Sequence, residues 1–490
     1  MIKRCRKLAF MLVLMLCINL GATAVAADAA QTGDSKKKTE KEKELTEEEK
    51  KAKEELEKAY KIPTESNGWE GWAEGPGTYG ESAIVMEVST GAVLYAKNID
   101  AKQFPASITK VLTALVALEN GAFTDTVAFS HDSVSFLQPG DSSVGLKEGN
   151  VITLEQALYA TLLASANEAA YAVAENVGKN AGYDYNWFIS QMNTRARELG
   201  GVNSNFVNTN GLHHKDHYTC ARDMALIGRE LFKHPEFFEI VQTLEYKIPK
   251  SKTVEEHVFQ QKDKMLRPEN ENYYKNVIGG KTGFTSDARS TLITMGQKKD
   301  MQVVCVVLRT YGKNVYPDTR NLLKYAFKNF YKVNVEEAEQ SEEIAEFLEG
   351  ENYVVLPQGI TFADLDKEIT MDGGVADTAT LTYTYQGTYV GAARVKLSES
   401  YRKEQLESSQ GEQEEDREEL PGKTEEEKKQ GLLSVPAISK IWKALGLDEK
   451  SRTDLWLLAG ASVLLAGLIA AFIVMLIRRN RQLRALEDEE

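Results

Sequence analysis

The sequence predicts an α+β domain, followed by a small β-domain and a C-terminal transmembrane helix. Strand patterns stand at both ends of the region 66–335 and helical patterns lie between them. That order is expected of an antiparallel sheet built from both ends of a domain around an inserted helical cluster. Residues 340–398 alternate apolar with polar side chains, which is typical of strands, and residues 455–477 carry no charge.

The composition is that of a folded, acidic protein. Of its 490 residues, 42% are hydrophobic and 27% are charged, and the formal net charge is −14. A chain of this length can hold two or three domains of ~100–200 residues each. Because nucleic-acid binders usually present a basic face, we expect no nucleic-acid partner. Four cysteines exclude a disulfide scaffold, and whether Cys220 and Cys305 pair stays open at this point.

The N-terminus has the layout of a secretory signal peptide. A basic segment at 3–7 precedes the apolar run Leu8 to Leu20, and Ala24 to Ala26 forms a small-residue cleavage site. We therefore predict a signal peptide over residues 1–26 and an exported chain. Residues 27–65 form a Lys/Glu-rich spacer that is predicted to be disordered or a solvated single helix, with folded sequence starting near Trp69.

The C-terminus holds the predicted membrane span. Leu455 to Ile477 is a run of 23 residues without a charge, which is long enough to cross ~30 Å of hydrocarbon. Four arginines follow within the tail 478–490, and cations that flank a span stay cytoplasmic. We therefore expect a single-pass protein of the cell membrane with an extracytoplasmic body. Residues 399–434 form an acidic linker, and the juxtamembrane segment 435–454 either lies on the outer membrane surface or extends the span.

Local patterns predict the individual elements of the two domains. A hairpin is expected over 82–96, and a terminal helix over 318–331. The other predicted helices cover 107–120, 153–178 and 187–199, and the other predicted strands cover 291–295, 302–308, 353–356, 379–385 and 389–397.

A possible nucleophile lies at the start of the first of these helices. Ser107-Ile108-Thr109-Lys110 is an S-x-x-K pattern, and positions i and i+3 share one face of a helix, so the Lys110 amine can reach the Ser107 hydroxyl. An amine kept neutral by burial and by nearby cations can deprotonate a serine. The pattern alone is weak because it is common by chance.

Two further short motifs follow in the chain. Ser165-Ala166-Asn167 comes after an Ala/Leu helix and is predicted to lie on a turn between two helices. Lys281-Thr282-Gly283 precedes a predicted strand, where glycine allows close approach of a substrate backbone and the cation and hydroxyl suit a carboxylate. Either motif alone carries little information, and the second is compatible with an ordinary β-turn.

Taken together, the three motifs are a strong signal. In this order, Ser-x-x-Lys, Ser-x-Asn and Lys-Thr-Gly are the signature set of penicillin-binding proteins and serine β-lactamases. The surrounding sequence, including Thr209-Asn210-Gly211-Leu212 and His217-Tyr218-Thr219, closely resembles the low-molecular-mass D-alanyl-D-alanine carboxypeptidases, serine peptidase family S11. The resemblance covers about 75–335 well and extends more loosely to 340–398. It implies a penicillin-binding-protein/serine β-lactamase-like fold.

The resemblance also implies a reaction. The enzyme would remove the terminal D-Ala from peptidoglycan pentapeptide stems through an acyl-enzyme, and β-lactams would acylate the same serine. In this scheme Ser107 is the nucleophile, Lys110 is its general base, and Ser165 passes a proton to the leaving D-Ala amine. No metal or other cofactor is implied.

The remaining motif positions are implied to bind the substrate. Asn167 would hold the peptide, Lys281 would supply positive potential, and Thr282 would help bind the terminal carboxylate. Gly283 belongs to the same motif, and Phe284 would contribute its backbone N–H, together with that of Ser107, to an oxyanion hole.

Some alternatives remain open at this stage. The family often carries an arginine near the substrate carboxylate, and here either Arg309 or Lys313 could substitute for it. A zinc site at His213, His214 and His217 competes with simple loop packing, which the lack of further clustered ligands favours. Rival functions are a β-lactamase or transpeptidase of the same fold, and a catalytically inactive cell-wall-binding protein.

Overall fold

The computed structural model describes residues 46–372 and 377–403 of the chain. The helices, in chain order, are α1 Glu47–Lys61, α2 Thr109–Asn120, α3 His131–Ser135, α4 Leu154–Leu162, α5 Asn167–Asn180, α6 Tyr185–Glu198, α7 Ala221–Glu230, α8 Pro235–Gln242, α9 Val315–Asn329 and α10 Val335–Ala338. The strands are β1 Ser82–Glu87, β2 Val93–Lys97, β3 Thr126–Ala128, β4 Val151–Thr153, β5 Glu245–Ile248, β6 His257–Gln260, β7 Val277–Thr285, β8 Arg289–Lys298, β9 Met301–Thr310, β10 Phe330–Asn334, β11 Ile344–Phe347, β12 Tyr353–Pro357, β13 Asp366–Met371, β14 Thr378–Tyr385 and β15 Thr388–Leu397.

The central sheet is five-stranded and antiparallel, with the strand order β2-β1-β9-β8-β7. It therefore joins the N-terminal hairpin to three later strands, and the prediction of a sheet built from both ends of the domain is confirmed. Every side chain of β1 is buried, as expected where a sheet is covered on both faces. The strand β7 lies at the edge of this sheet, and this edge carries the Lys-Thr-Gly motif.

Helices cover the two faces of the central sheet. On one face, α7 approaches so closely that a methyl group at Gly228 would lie 2.8 Å from Val304 of β9. On the other face, α9 packs against β8 and β9, and Leu323 lies close to Gly296. Neighbouring residues of a strand point to opposite faces, so β9 contributes to both halves of the core.

The helical cluster is organised around α2. Residues Thr109 to Ala117 of this helix are all buried, and α2 contacts α4, α5, α6 and α7. A helix that is buried on every side belongs to the interior of a domain rather than to its surface. The position of Lys110 in the first turn of α2 therefore places its side chain within the core.

A second antiparallel sheet lies in the segment predicted to be a small β-domain. Its strand order is β10-β12-β15-β14-β13, and β11 pairs with the last residues of β15, Val395 to Leu397. The sheet begins at Phe330, directly after α9 ends, so the helix predicted over 318–331 begins three residues earlier and ends two residues earlier than expected. The Tyr389 hydroxyl donates to the carbonyl of Thr90 at 3.1 Å, which joins this sheet to the turn of the β1–β2 hairpin.

The expectation that folded sequence starts near Trp69 is wrong. Residues of the helix α1 contact the domain. The carbonyl of Ala59 accepts from the buried ammonium of Lys97 at 2.9 Å, and the ring of Tyr60 lies 5.0 Å from that of Tyr79. Glu55 accepts from the hydroxyl of Tyr311. The Lys/Glu-rich composition concealed this docking, since much of it is made by backbone and aromatic groups rather than by an apolar stripe.

Several predictions fall outside the described residues. They are the signal peptide 1–26, most of the linker 399–434, the juxtamembrane segment 435–454, the span 455–477 and the tail 478–490. Among the residues that the structure describes, no helix combines the length and apolar composition that a membrane crossing requires.

Candidate active site

The candidate nucleophile stands at a strained turn into α2. Ala106 has φ +52°, a left-handed conformation that costs a non-glycine residue roughly 1–2 kcal/mol. Ala106 to Ile108 form one turn of 3₁₀ helix, and α2 continues from Thr109. The turn is held by Thr109, whose hydroxyl donates to the Ala106 carbonyl at 2.9 Å, and by Thr291 of β8, whose hydroxyl donates to the Pro105 carbonyl at 2.8 Å.

The amine of Lys110 contacts the hydroxyl of Ser107, as the S-x-x-K spacing predicted. The distance from Lys110 Nζ to Ser107 Oγ is 3.0 Å. The same nitrogen lies 2.7 Å from Oδ1 of Asn167 and 2.6 Å from the backbone carbonyl of Asn210. A neutral amine has two N–H donors and one lone pair. Because both carbonyl oxygens can only accept, they take the two N–H groups and leave the lone pair for the Ser107 hydroxyl.

The environment of Lys110 favours that neutral form. Burial lowers the pKa of Lys110 well below its usual value, and the nearby cations Lys281 and Lys262 lower this pKa further. The carboxylates of Glu168 and Asp141 oppose this effect by raising it. Desolvation disfavours the charged amine most strongly, since the side chain is fully buried. Lys110 is therefore suited to accept a proton at physiological pH.

The Ser165-Ala166-Asn167 motif lies on the turn between α4 and α5, as predicted. Ser165 is almost completely buried and has φ +61°, again in the left-handed region. The backbone N–H of Ala166 donates to the Ala160 carbonyl at 3.0 Å, and that of Asn167 donates to the Ser142 carbonyl at 2.8 Å. These bonds fix the turn, and Asn167 reaches Lys110 from the first position of α5.

The edge strand β7 closes the other side of the site. A methyl group added to Gly283 would lie 2.9 Å from the backbone nitrogen of Ser107 and 2.4 Å from the hydroxyl of Thr291. The Lys-Thr-Gly segment therefore backs directly onto the nucleophile segment, and only glycine fits there. Phe284 follows, with 66% of its side chain exposed.

The Lys281 side chain is buried at this edge. Its Nζ donates to the carbonyl of Thr282 at 2.9 Å. Burial, together with the nearby charge of Lys262, lowers the pKa of Lys281 to about 7, and the carboxyl of Asp263 opposes this change.

The geometry places neither Arg309 nor Lys313 at the site for the substrate carboxylate. The guanidinium of Arg309 is paired with the Glu81 carboxylate at 2.9 Å and donates to the backbone carbonyl of Asp287. Lys313 lies exposed in a one-turn 3₁₀ helix before α9. Arg309 thus connects β9 to the residue before β1.

The two described cysteines, Cys220 and Cys305, are both free and buried, so they do not pair.

Several residues that shape the site were not predicted from the sequence. Asn210 contributes its backbone carbonyl to Lys110, a role that no side-chain type announces. Glu168 is buried and accepts from the hydroxyl of Ser143 and from the N–H of Val144, so it fixes a loop beside Asn167. The position of Glu168 directly after the Ser-x-Asn motif was a possible signal for it.

The loop histidines follow the packing alternative rather than the zinc alternative. His217 is buried between Thr109, whose hydroxyl lies 2.8 Å from Nε2, and Val207, whose N–H donates to Nδ1 at 3.1 Å. Burial lowers the pKa of His217 to about 3, so the ring is neutral and acts as a hydrogen-bond bridge. His213 instead packs edge-on against the ring of Phe104. His217 thereby links the first turn of α2 to the loop that carries Asn210.

Comparisons with known proteins place the chain in a family. A profile of the D-alanyl-D-alanine carboxypeptidases, peptidase family S11, matches residues 73–311. The D-alanyl-D-alanine carboxypeptidase DacF of Bacillus subtilis is 29% identical over 355 residues, which are 66% of this chain and 86% of DacF. DacB2 of Mycobacterium tuberculosis, also a D-alanyl-D-alanine carboxypeptidase, is 30% identical over 231 residues, which are 47% of this chain and 74% of DacB2.

A solved structure supports the fold. Penicillin-binding protein 5 from Haemophilus influenzae aligns with a TM-score of 0.53 and 24% identity, and the alignment covers 66% of this chain and 98% of that one. The predicted penicillin-binding-protein-like α+β fold is thereby confirmed. The chain belongs to the D-alanyl-D-alanine carboxypeptidase family of serine peptidases, family S11.

Proposed function

We propose that this chain is a serine-type D-Ala-D-Ala carboxypeptidase. It removes the terminal D-Ala from peptidoglycan pentapeptide stems through an acyl-enzyme, and β-lactams acylate the same serine. The observation that carries the proposal is the 3.0 Å contact between the buried amine of Lys110 and the hydroxyl of Ser107, with carbonyl oxygens of Asn167 and Asn210 also within hydrogen-bond distance of the amine. A protein that only bound the cell wall would have no need for such a pair.

Acylation begins with proton transfer from Ser107 to Lys110. As the proton moves to Nζ, Oγ forms a bond to the carbonyl carbon between the two D-Ala residues. The ammonium that results keeps its acceptors at Asn167 and Asn210. Because these carbonyl dipoles are already in place, little reorganisation is needed as charge develops on the amine.

The tetrahedral intermediate requires donors for its oxyanion. We assign this role to the backbone N–H groups of Ser107 and Phe284, supported by the close approach of Gly283 to the Ser107 nitrogen. When the intermediate collapses, the C–N bond breaks and the D-Ala amine leaves with a proton that Ser165 relays. Thr282 and Lys281 bind the carboxylate of that D-Ala. Water then hydrolyses the ester and restores the Ser107 hydroxyl.

We also propose that the catalytic domain works outside the cell while tethered to the membrane. The proposal is supported by the uncharged run 455–477 and the arginines that follow it. The acidic linker 399–434 contains few apolar residues, and this composition suits a spacer that would give the domain reach. An immobile polymer substrate makes such reach useful.

The first test of the function is the variant Ser107→Ala. We expect loss of fluorescent-penicillin labelling and a fall in D-Ala release from a D-Ala-D-Ala pentapeptide by about 10³-fold or more, since the covalent step is removed. Mass spectrometry should map the wild-type adduct to Ser107, and circular dichroism should show an unchanged fold. A penicilloyl adduct on another serine would refute the assignment.

The second prediction concerns the close fit behind the nucleophile. Gly211 has φ +84°, and a methyl group there would lie 1.9 Å from the carbonyl oxygen of Ala106. Gly211→Ala should displace the Ser107 segment and lower the rate of penicillin acylation by about 10²-fold or more. Gly182→Ala is the matched control, because Gly182 has φ +83° and nothing within 4 Å of the added methyl group. Equal acylation rates for both variants would show that the fit does not matter.

The third prediction concerns pH. The positive charge of Lys281 lowers the pKa of Lys110, so Lys281→Gln should raise it and keep the amine protonated to a higher pH. The acidic limb of the acylation rate should therefore move up by about 0.5–1 pH unit. Lys281→Arg keeps the positive charge. The midpoint of the acidic limb of its pH–rate profile should therefore stay at or below the wild-type pH, even if the acylation rate itself falls. An unmoved limb in Lys281→Gln would argue against Lys110 as the base.

The last prediction of this section concerns the tether. A chain that ends at Lys403 keeps both sheets and all three motifs, so it should release D-Ala from a free peptide within about twofold of the full-length rate. It should also leave the membrane fraction of cells, because it lacks the run 455–477. Inactivity on the free peptide would mean that later residues complete the site. Persistence in the membrane fraction would mean that another segment provides the anchor.

A further inference from the structure

A cavity of about 550 Å³ lies beside the Ser-x-Asn turn and has no role in the mechanism above. One wall is β6 with the residues that follow it, and the opposite wall includes Ser143 and Val144. Ala164, the residue before Ser165, also lines the cavity. The cavity therefore adjoins the turn that carries the Ser-x-Asn motif.

Hydrogen bonds attach the cavity walls to the segment that carries the catalytic residues. The backbone N–H of Lys262 donates to the Leu163 carbonyl at 3.3 Å, and that of Asn167 donates to the Ser142 carbonyl at 2.8 Å. The buried carboxylate of Glu168 holds Ser143 and Val144 from behind. The cavity is thus built into the site and does not depend on a mobile surface loop.

The charges that line the cavity have one sign. Lys262, Lys264 and Arg267 contribute three cations, and no aspartate or glutamate is among the residues that line it. Arg267 is partly neutralised by an ion pair with Glu269 outside the cavity, and the Lys264 ammonium lies 5.9 Å from the ring centroid of Tyr316. A cationic cavity contrasts with the net charge of −14 of the whole chain. It would attract anionic groups and repel cationic ones.

The turn that carries these cations is rigid. The side chain of Gln261 donates to the Val241 carbonyl at 2.6 Å and accepts from the N–H of Asp263 at 2.9 Å. The Asp263 carboxyl, which is buried, accepts from the N–H of Met265 at 2.9 Å. Because the backbone is fixed, the positions of Lys262 and Lys264 on either side of Asp263 are set before any ligand arrives.

We propose that this cavity is a subsite for a carboxylate on the amino side of the D-Ala-D-Ala pair, so that the enzyme prefers acidic stem peptides. The inference rests on the proposed function. In that scheme Thr282 and Lys281 on β7 bind the terminal carboxylate, and the upstream residues of the stem peptide run past the Ser-x-Asn turn to the cavity that Ala164 lines. Lys264 and Arg267, which stand outside the three motifs, are the residues that determine this specificity.

The test compares two matched pairs of acetylated peptides that end in D-Ala-D-Ala. Within a pair, the peptides differ only in D-glutamate or D-glutamine, placed either one or two residues before the D-Ala-D-Ala pair. We expect kcat/KM for D-Ala release to favour the acidic member of at least one pair by about fivefold, the scale of partly exposed ion pairs. The preference should shrink between 50 and 500 mM NaCl, since salt screens such charges.

The variant Lys264→Gln/Arg267→Gln should reduce the preference to less than twofold and leave kcat/KM for the glutamine peptides unchanged. The matched control is Lys324→Gln/Lys328→Gln, which removes two exposed cations from α9 and should keep the preference. Equal rates for acidic and amide peptides in the wild type, or a preference that persists in the first variant, would overturn the inference alone. Failure to release D-Ala from any of the four peptides would instead overturn the proposed function on which it rests.

Discussion

The buried amine of Lys110 is the constraint on which the rest of the site depends. An amine in the core must be neutral or well compensated, and here the two carbonyl oxygens of Asn167 and Asn210 satisfy its donors without adding a negative charge. A carboxylate in either place would favour the ammonium and abolish its use as a base. The placement of α2 in the middle of the helical cluster supplies the burial. The fold of the helical cluster thus excludes water from the amine of Lys110 and holds this amine against the hydroxyl of Ser107.

Backbone strain appears on both sides of that amine. Ala106 precedes the nucleophile and Ser165 belongs to the opposite wall, and both have positive φ. Each conformation costs of order 1–3 kcal/mol and persists only where the surroundings enforce it. Thr291 and Gly211 enforce the first, and the hydrogen bonds of the Ser-x-Asn turn enforce the second. Two strained residues from elements far apart in the sequence thus stand at the Ser-x-x-Lys and Ser-x-Asn motifs.

The sequence predicted those features that have a local signature. Strand and turn patterns indicated the strands on either side of the helical cluster. The S-x-x-K spacing predicted the contact of Ser107 with Lys110 because that contact depends only on helix geometry. The sequence did not predict the docking of α1, since Lys97 binds a backbone carbonyl of that helix, at Ala59, rather than an apolar side chain. The contribution of Asn210 was missed for the same reason. Backbone acceptors are identical at every position, so only the tertiary fold shows which one is used.

The loop that carries Asn210 and Gly211 has a consequence for how the protein tolerates sequence change. Its residues fit against the nucleophile segment from behind: Gly211 touches the Ala106 carbonyl, Thr209 accepts from Thr113 of α2, and His217 bonds Thr109. In a library of random substitutions, inactive clones should therefore cluster in this loop as densely as in the three motifs. Selection for resistance to β-lactams should yield few substitutions in this loop, because a change that loosens it weakens the attack of Ser107 on the drug and on the natural peptide alike.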